Sequence, residues 1–414
     1  MAAVKVNACG PIRDAELELP ERGIVVLIGP NLSGKSLLEG ALSSAALAST
    51  VVADWKLLGP PLAERLAGGE WAELYAALDP LGYLSAAAGA ADRLAKLEEL
   101  VRSGSGGSAG AREYLASMAF AADLSARCSP PPQLPKMLSR VRVDIAVDGS
   151  SVRAELPLDP RGAGPGDALQ RVRVEPLEGV VGLNVGAPRD FLRWVAGGPA
   201  GGPSSLLARI LLRRFHHDVE PGAYNALRGA LLGSWRELSS YEAELAFIER
   251  EGELAVVVGE SVIPWWQLSS GLANLAAHLL LCRLVALLSL ERKRVLVGLE
   301  EPEAHLDPYV VHELPRLYGV LARRHNVTFV VTTHSEALLA GIENAVASGA
   351  LRADEVRVYE TVGREGAFTL RRCTVSEGGV IEGSRLEEIA WRLLRRRLAA
   401  QPSARQSGAR GPAP

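Results

Sequence analysis

Residues Gly29-Pro30-Asn31-Leu32-Ser33-Gly34-Lys35-Ser36 spell a glycine, four residues, then Gly-Lys-Ser. That spacing suits one chemistry, the cradling of a phosphate chain. Gly29 and Gly34 let the backbone curl so that successive N–H groups point inward at an anion. Lys35 can reach the β- and γ-phosphates of a nucleotide, and the Ser36 hydroxyl can ligate Mg2+. The flanking runs must hold this loop in place. Ile24 to Ile28 is apolar and β-branched, as a buried strand is. Leu37 to Ala48 is rich in Leu and Ala, with no breaker after Gly40, and reads as a helix. Its N-terminus brings the positive end of a helix dipole to the phosphates.

Three further groups fit beside it. The apolar run Val295 to Leu299 ends in Glu300-Glu301-Pro302-Glu303. Two acids at the end of a buried strand suit Mg2+ and water. Glu300 would hold the metal-bound network and Glu301 would polarise an attacking water. The plainer alternative is a solvated acidic loop. Thr332-Thr333-His334-Ser335 follows a second buried run, so His334 could hydrogen-bond a γ-phosphate. A lone histidine is more often structural. Leu268-Ser269-Ser270-Gly271-Leu272 opens a helix. Ser269, with the N–H groups of Ser270 and Gly271, makes either a second anion-binding helix start or an ordinary N-cap.

In this order the motifs resemble the ATP-binding-cassette ATPases. Gly29 to Ser36 matches Walker A, and Leu268 to Leu272 resembles the signature motif. Glu300-Glu301 matches Walker B and its following glutamate. Ala304-His305-Leu306-Asp307 resembles the D-loop, and His334 the switch histidine. The wording Gly-Pro-Asn-x-Ser-Gly-Lys-Ser and Glu-Glu-Pro-Glu-Ala-His-Leu-x-Pro looks like the SMC/RecF/OLD-like branch. The resemblance covers about residues 1–50 and 260–375. It implies an α/β fold: a P-loop NTPase core of the ABC-ATPase type, a mixed sheet with flanking helices, carrying an inserted helical and β lobe. It implies ATP and Mg2+ as cofactors and a head-to-tail homodimer formed on ATP. There Lys35, Glu301 and His334 would be catalytic, Ser36 and Glu300 would hold the metal, and Ser269, Ser270 and Gly271 would meet the partner's nucleotide.

Two departures from the family pattern stand out. Glu300 replaces the usual Walker B aspartate, a wording found among OLD-like members. No Q-loop glutamine is evident, with Gln170 and Glu175 the nearest candidates. OLD-like proteins often continue into a Toprim nuclease domain. No Asp-x-Asp pair follows His334, so any nuclease is expected to be a separate partner. The long stretch between Ser36 and Leu268 exceeds what a transporter cassette needs. It also lacks the sustained heptads of an SMC coiled coil.

The organisation expected from these readings is a split core, residues 1–50 and 255–380, with 51–254 inserted. A basic helix (381–400) and a disordered tail (401–414) follow. Strands are expected at Val4 to Asn7, Ala15 to Leu19, Val141 to Val147, Val152 to Leu156 and Arg171 to Val174. Others are expected at Glu244 to Glu249, Glu253 to Val258, Glu355 to Thr361 and Ala367 to Cys373, with helices near 204–217 and 222–240. Asn7 and Arg13 are ordinary polar residues of an edge strand, or else approach a base or ribose. Trp265 and Trp266 are read as packing residues. His216-His217 point to different helix faces, which argues against metal.

The 414 residues carry a net charge of −3, so no global charge draws the chain to nucleic acid. Cys9, Cys128, Cys282 and Cys373 lie far apart and read as buried thiols of a reducing compartment. There is no signal-peptide pattern, and the apolar run Leu279 to Leu290 is too short to span a bilayer. A cytoplasmic protein is expected, with no membrane. Its partners would be ATP, a second copy of itself, and DNA or a separate nuclease or effector protein.

Overall fold

The computed structural model describes residues 2–53, 140–147, 150–157, 173–174, 180–196, 207–208, 246–250, 253–258, 261–289, 294–364 and 367–384. The chain opens with strands β1 (Ala2–Cys9) and β2 (Ile12–Leu19), then β3 (Gly23–Ile28) and helix α1 (Lys35–Ala53). Next come β4 (Arg140–Val147), β5 (Ser150–Pro157), β6 (Arg173–Val174), β7 (Val180–Gly186) and α2 (Pro188–Ala196). Strands β8 (Ala246–Arg250), β9 (Glu253–Val258) and β10 (Ser261–Pro264) lead through a 3-10 turn, Trp265–Gln267, into α3 (Ser270–Ser289). The last part alternates β11 (Arg294–Glu300), α4 (Pro308–His325), β12 (Val327–Thr332) and α5 (Glu336–Ala347). It closes with β13 (Val356–Arg364), β14 (Ala367–Val375) and β15 (Ile381–Glu382).

Among the described residues one sheet runs β6-β5-β4-β1-β2-β14-β13-β3-β12-β11-β7, with β15 on β14. The half from β13 to β7 is parallel. Its central strands β3 and β12 are buried along their whole length, because helices cover both faces of a parallel sheet. This is why Gly23–Ile28, Arg294–Glu300 and Val327–Thr332 read as unbroken apolar runs. The other half is largely antiparallel, and β2 alternates buried and more exposed residues. Strands β8, β9 and β10 form a separate antiparallel sheet. The result is the mixed α/β architecture expected from the sequence.

Helix α1 buries Leu38, Ala41, Leu42 and Ala45 in the core, and α3 buries Ala276, Ala277, Leu280, Leu281, Leu284 and Leu288. Each buried leucine contributes about 1.5–3 kcal/mol. Helix α3 extends beyond the apolar run read from the sequence. By length and composition it could cross a membrane, but most of its most apolar stretch is buried against this core.

Residues 140–196 differ from the division expected. The sequence pattern places them in the insertion, yet β4, β5 and β6 extend the β1–β2 hairpin, and among the described residues β7 ends the sheet beside β11. The pairing of β1 with β4 joins segments far apart in sequence, which local pattern does not reveal. The helices expected near 204–217 and 222–240, the basic C-terminal helix and tail, Cys128, Gln170, Glu175 and His216-His217 lie outside the described residues, apart from the helical pair Leu207 and Ala208.

Candidate functional site

Parallel register builds the site. Leu27 in β3 sits opposite Thr332 in β12, and Thr332 opposite Glu300 in β11. The C-terminal ends of three neighbouring strands therefore meet at one sheet edge, the side on which open α/β sheets bind ligands. The loop Gly29–Ser36 leaves β3 there, Glu300-Glu301 leaves β11, and Thr333-His334 leaves β12. Backbone bonds from Glu301 N to Thr332 O (2.9 Å) and from Thr333 N to Leu27 O (3.2 Å) stitch the three exits together.

The phosphate loop is tied down on its sheet side and open outward. Gly29 has φ 137°, and a Cβ there would fall 2.0 Å from Thr361 Oγ1. Thr361, on β13, lies within hydrogen-bond reach of the buried Ser33 hydroxyl (2.7 Å) and the Ile28 carbonyl (3.3 Å). Pro30 and Asn31 are exposed, and Leu32 at the tip is 83% exposed with φ 62°. Lys35 is buried and folds back, its Nζ donating to the carbonyls of Gly29 (3.0 Å) and Pro30 (2.9 Å). Burial lowers its pKa to about 8, against the pull of Glu301 and then Glu300. Ser36 stands beside it, in the first turn of α1.

Glu301 and His334 face each other across the mouth of the site, with His334 Nε2 3.8 Å from Glu301 Oε1. Their side chains are 51% and 36% exposed. Burial holds the His334 pKa below 6.5, Lys35 lowers it further, and Glu301 raises it. Lys35, Glu300, Glu301 and His334 thus share one electrostatic environment. Glu301 has φ 42° and His305 φ 65°, left-handed conformations unusual for these side chains.

The residues present fit a nucleotide-borne Mg2+. A hydroxyl at Ser36 and a carboxylate at Glu300 are the sparse oxygen set that Mg2+ takes alongside phosphates and waters. Among the described residues no group of three or more His, Cys, Asp or Glu gathers as a metal site complete without them.

Ser269, Ser270 and Gly271 are elsewhere. Ser269 is exposed and caps α3, its Oγ accepting from Leu272 N at 3.4 Å. Among the described residues no hydrogen bond joins these three to Gly29–Ser36. They rest instead on the loop after β11, where a Cβ on Gly271 would lie 2.9 Å from the His305 carbonyl. Just before them, Trp266 is 51% exposed rather than packed. With Trp265, Arg189, Arg193 and Leu268 it lines a cleft of about 300 Å³. The two tryptophans form a 3-10 turn that leads to the capped helix start, so they are held at the surface. Arg13 folds onto its own turn, donating to the carbonyls of Gly10 and Ile12; its strand β2 lies inside the sheet between β1 and β14, not at an edge as the sequence suggested. The side chain of Asn7 lies outside the described residues.

Three residues to which the sequence analysis gave no role support the site. Glu303 Oε1 accepts from the Thr333 hydroxyl and from His334 N (3.3 Å), while Oε2 is buried without a partner. Burial raises its pKa, and the Thr333 bond opposes this. Asn274 on α3 donates to the carbonyls of Pro302 (3.2 Å) and Ala304. Glu39 is buried under β11, where a Cβ on Gly298 would overlap its Oε1. A glycine inside a strand marks such an approach, and Gly298 was the available signal.

A family model described as "AAA domain, putative AbiEii toxin, Type IV TA system" matches residues 254–340. That stretch contains Ser269–Gly271, Glu300, Glu301 and His334. No curated protein gives a significant match. Among solved structures, an SMC head bound to the C-winged helix domain of ScpA is similar at 14% identity and TM-score 0.42, over 91% of this chain and 98% of that one. The SMC head domain from Thermotoga maritima is similar at 13% identity and TM-score 0.38, over 89% and 97%. An Smc head domain with an extended coiled coil, bound to the C-terminal domain of ScpA derived from Pyrococcus furiosus, gives 13% and 0.37, over 96% and 98%.

Proposed function

We propose that this chain is a P-loop ATPase of the ABC type on the SMC-like branch, and that it binds and hydrolyses ATP and dimerises on it as a switch. One observation carries this reading. The phosphate loop, Glu300, Glu301 and His334 converge at one sheet edge, while Ser269–Gly271 open a separate, exposed helix start. A second copy, placed head to tail, brings its own Ser269–Gly271 to the outer side of the nucleotide.

On this reading Lys35 exchanges the Gly29 and Pro30 carbonyls for β- and γ-phosphate oxygens. Mg2+ held by Ser36 and Glu300 would offset charge on those phosphates. Glu301 accepts a proton from water as its oxygen bonds the γ-phosphorus, and the bond to the bridging oxygen breaks to release ADP. His334 donates to the γ-phosphate, and Ser269 of the second copy completes the shell. Hydrolysis removes the shared γ-phosphate and reopens the dimer.

The switch would serve DNA repair, genome maintenance or defence in the cytoplasm, where ATP and buried thiols such as Cys282 and Cys373 are at home. A second reading makes the chain the ATPase subunit of a separate nuclease or toxin, with no DNA affinity of its own. The toxin–antitoxin wording of the matching family and the net charge of −3 favour it. A transporter subunit ranks behind both.

The deciding experiment is the light-scattering mass of the Glu301→Gln protein with and without ATP·Mg2+, then with DNA. An ATP-dependent dimer supports the switch, and a monomer at saturating ATP and high protein concentration sinks it. Salt-sensitive DNA binding by that dimer selects the genome reading over the partner reading.

A further inference from the structure

Strand β12 carries a threonine near each end, and the two are treated differently. Thr328 Oγ1 donates to the Pro20 carbonyl (3.2 Å) and accepts from Arg294 (3.3 Å). Thr332 is 1% exposed, and its Oγ1 is buried without a hydrogen-bond partner. Other threonines of the site are satisfied: the Thr333 hydroxyl donates to Glu303, and Thr361 lies within reach of Ser33. A buried hydroxyl without a partner costs about 1–3 kcal/mol. Valine has nearly the same shape, and β12 already holds Val327, Val330 and Val331. Packing alone would favour valine at 332, so the hydroxyl is matched to a polar group other than those packed around it.

Strand register places that group. A Cβ on Gly298 of β11 would meet Glu39 Oε1 and Ser43 Oγ of α1, so residue 298 faces that helix. Residues two apart along a strand share a face, and so do register partners on neighbouring strands. Glu300 follows Gly298 by two and pairs with Thr332. Both therefore face α1, whose first turn holds Lys35 and Ser36. Glu300 acts on Lys35 electrostatically, so its carboxylate lies near the phosphate loop. That carboxylate bonds to none of the described residues, Thr332 included. A donor and an acceptor on one face, not bonded to each other, suit a bridging water, which takes about two to four such partners.

Resting on the nucleotide and Mg2+ reading above, we propose that Thr332 is a positioning residue for the metal. Its hydroxyl bonds a water that Glu300 also holds, in the shell that Ser36 and Glu300 place around the nucleotide's Mg2+. Thr332 touches neither the nucleotide nor the ion. It fixes the Glu300 carboxylate through that water, as outer-shell partners orient the side chains that hold a metal. Metal affinity then depends on β12, a strand that carries no metal ligand of its own.

The test measures the affinity of the full chain for a non-hydrolysable ATP analogue at low, monomeric concentration, once with excess Mg2+ and once with EDTA. The ratio of the two affinities is the gain from the metal. Thr332→Val should reduce that gain about 10-fold, the lower end of what loss of an outer-shell partner costs, while affinity in EDTA stays within about two-fold. Thr332→Ser keeps a hydroxyl and should keep the wild-type gain. Nucleotide-free Thr332→Val should melt at or above the wild-type temperature, because the unpartnered hydroxyl is gone. A merely structural role would lower that temperature and weaken binding in both conditions. A wild-type gain in Thr332→Val, equal losses with and without Mg2+, or a Thr332→Ser protein that behaves like Thr332→Val overturns the proposal, as does a Thr332→Val chain that fails to fold. A wild type that binds the analogue equally with and without Mg2+ overturns it and leaves the phosphate-loop reading standing. A wild type that binds no nucleotide removes both.

Discussion

Among the described residues, the helix starts at Lys35 and at Ser270 are both suited to an anion, and they are built in opposite ways. The one at Lys35 is walled by its own sheet. Gly29 is pressed on Thr361, Ser33 is buried, and Lys35 donates to carbonyls of its own loop. The one at Ser270 is open, with a single long cap bond, and is fixed from behind through Asn274 and the His305 carbonyl. The first is preorganised to bind by itself. The second is held in place without being enclosed, and on the proposed function it gains its ligand only from another molecule. Local rigidity and completeness are separate properties, and this fold assigns them to different helices.

The contrast can be broken first at Gly29. Gly29→Ala puts a Cβ into Thr361 at a φ that suits glycine. Strain and overlap together should cost about 4 kcal/mol, roughly 1,000-fold in nucleotide affinity by calorimetry. The next effect tests the support behind the second helix. His278 is fully buried and its pKa is lowered to about 4 by burial, from an ordinary 6.5. The unfolded chain takes up this proton first, so stability is full above pH 6.5 and falls between 6.5 and 4, by about 3 kcal/mol in all. Denaturant melts across that range should show the slope, and His278→Gln should flatten it. Lys35→Met removes charge-assisted bonds of about 1.5–3 kcal/mol and should weaken nucleotide binding roughly 10- to 100-fold. Smallest of all, Ser269→Ala should cost about 1 kcal/mol or less in melting experiments. It should leave the nucleotide affinity of the isolated subunit unchanged while weakening ATP-dependent dimerisation. If it weakens that affinity as Lys35→Met does, the two helix starts belong to one site and the contrast fails.

The phosphate loop was legible because all its parts are contiguous: strand, glycines, lysine and helix follow one another. Glu300, Glu301 and His334 were legible as ends of buried apolar runs, and parallel register brings such ends together. Thr361, Glu303, Asn274 and Glu39 were not, because their meaning lies in what they touch across the fold. A threonine in a β-run or an asparagine in a helix has no distinctive local pattern. The same limit explains the misplaced boundary of the insertion. Strand β4 looks like any hairpin strand until its pairing with β1 places it in the main sheet.

Glu301 occupies a left-handed backbone well at φ 42°, where asparagine or glycine would rest more easily. Holding a glutamate there costs about 1–3 kcal/mol. Selection for durability alone would drift this position towards asparagine, and a stabilising screen blind to activity should recover that replacement. The thermodynamic optimum of the chain and its chemical competence therefore part company at this residue, which makes Glu301 a place where a hardier but inert descendant of this protein would arise.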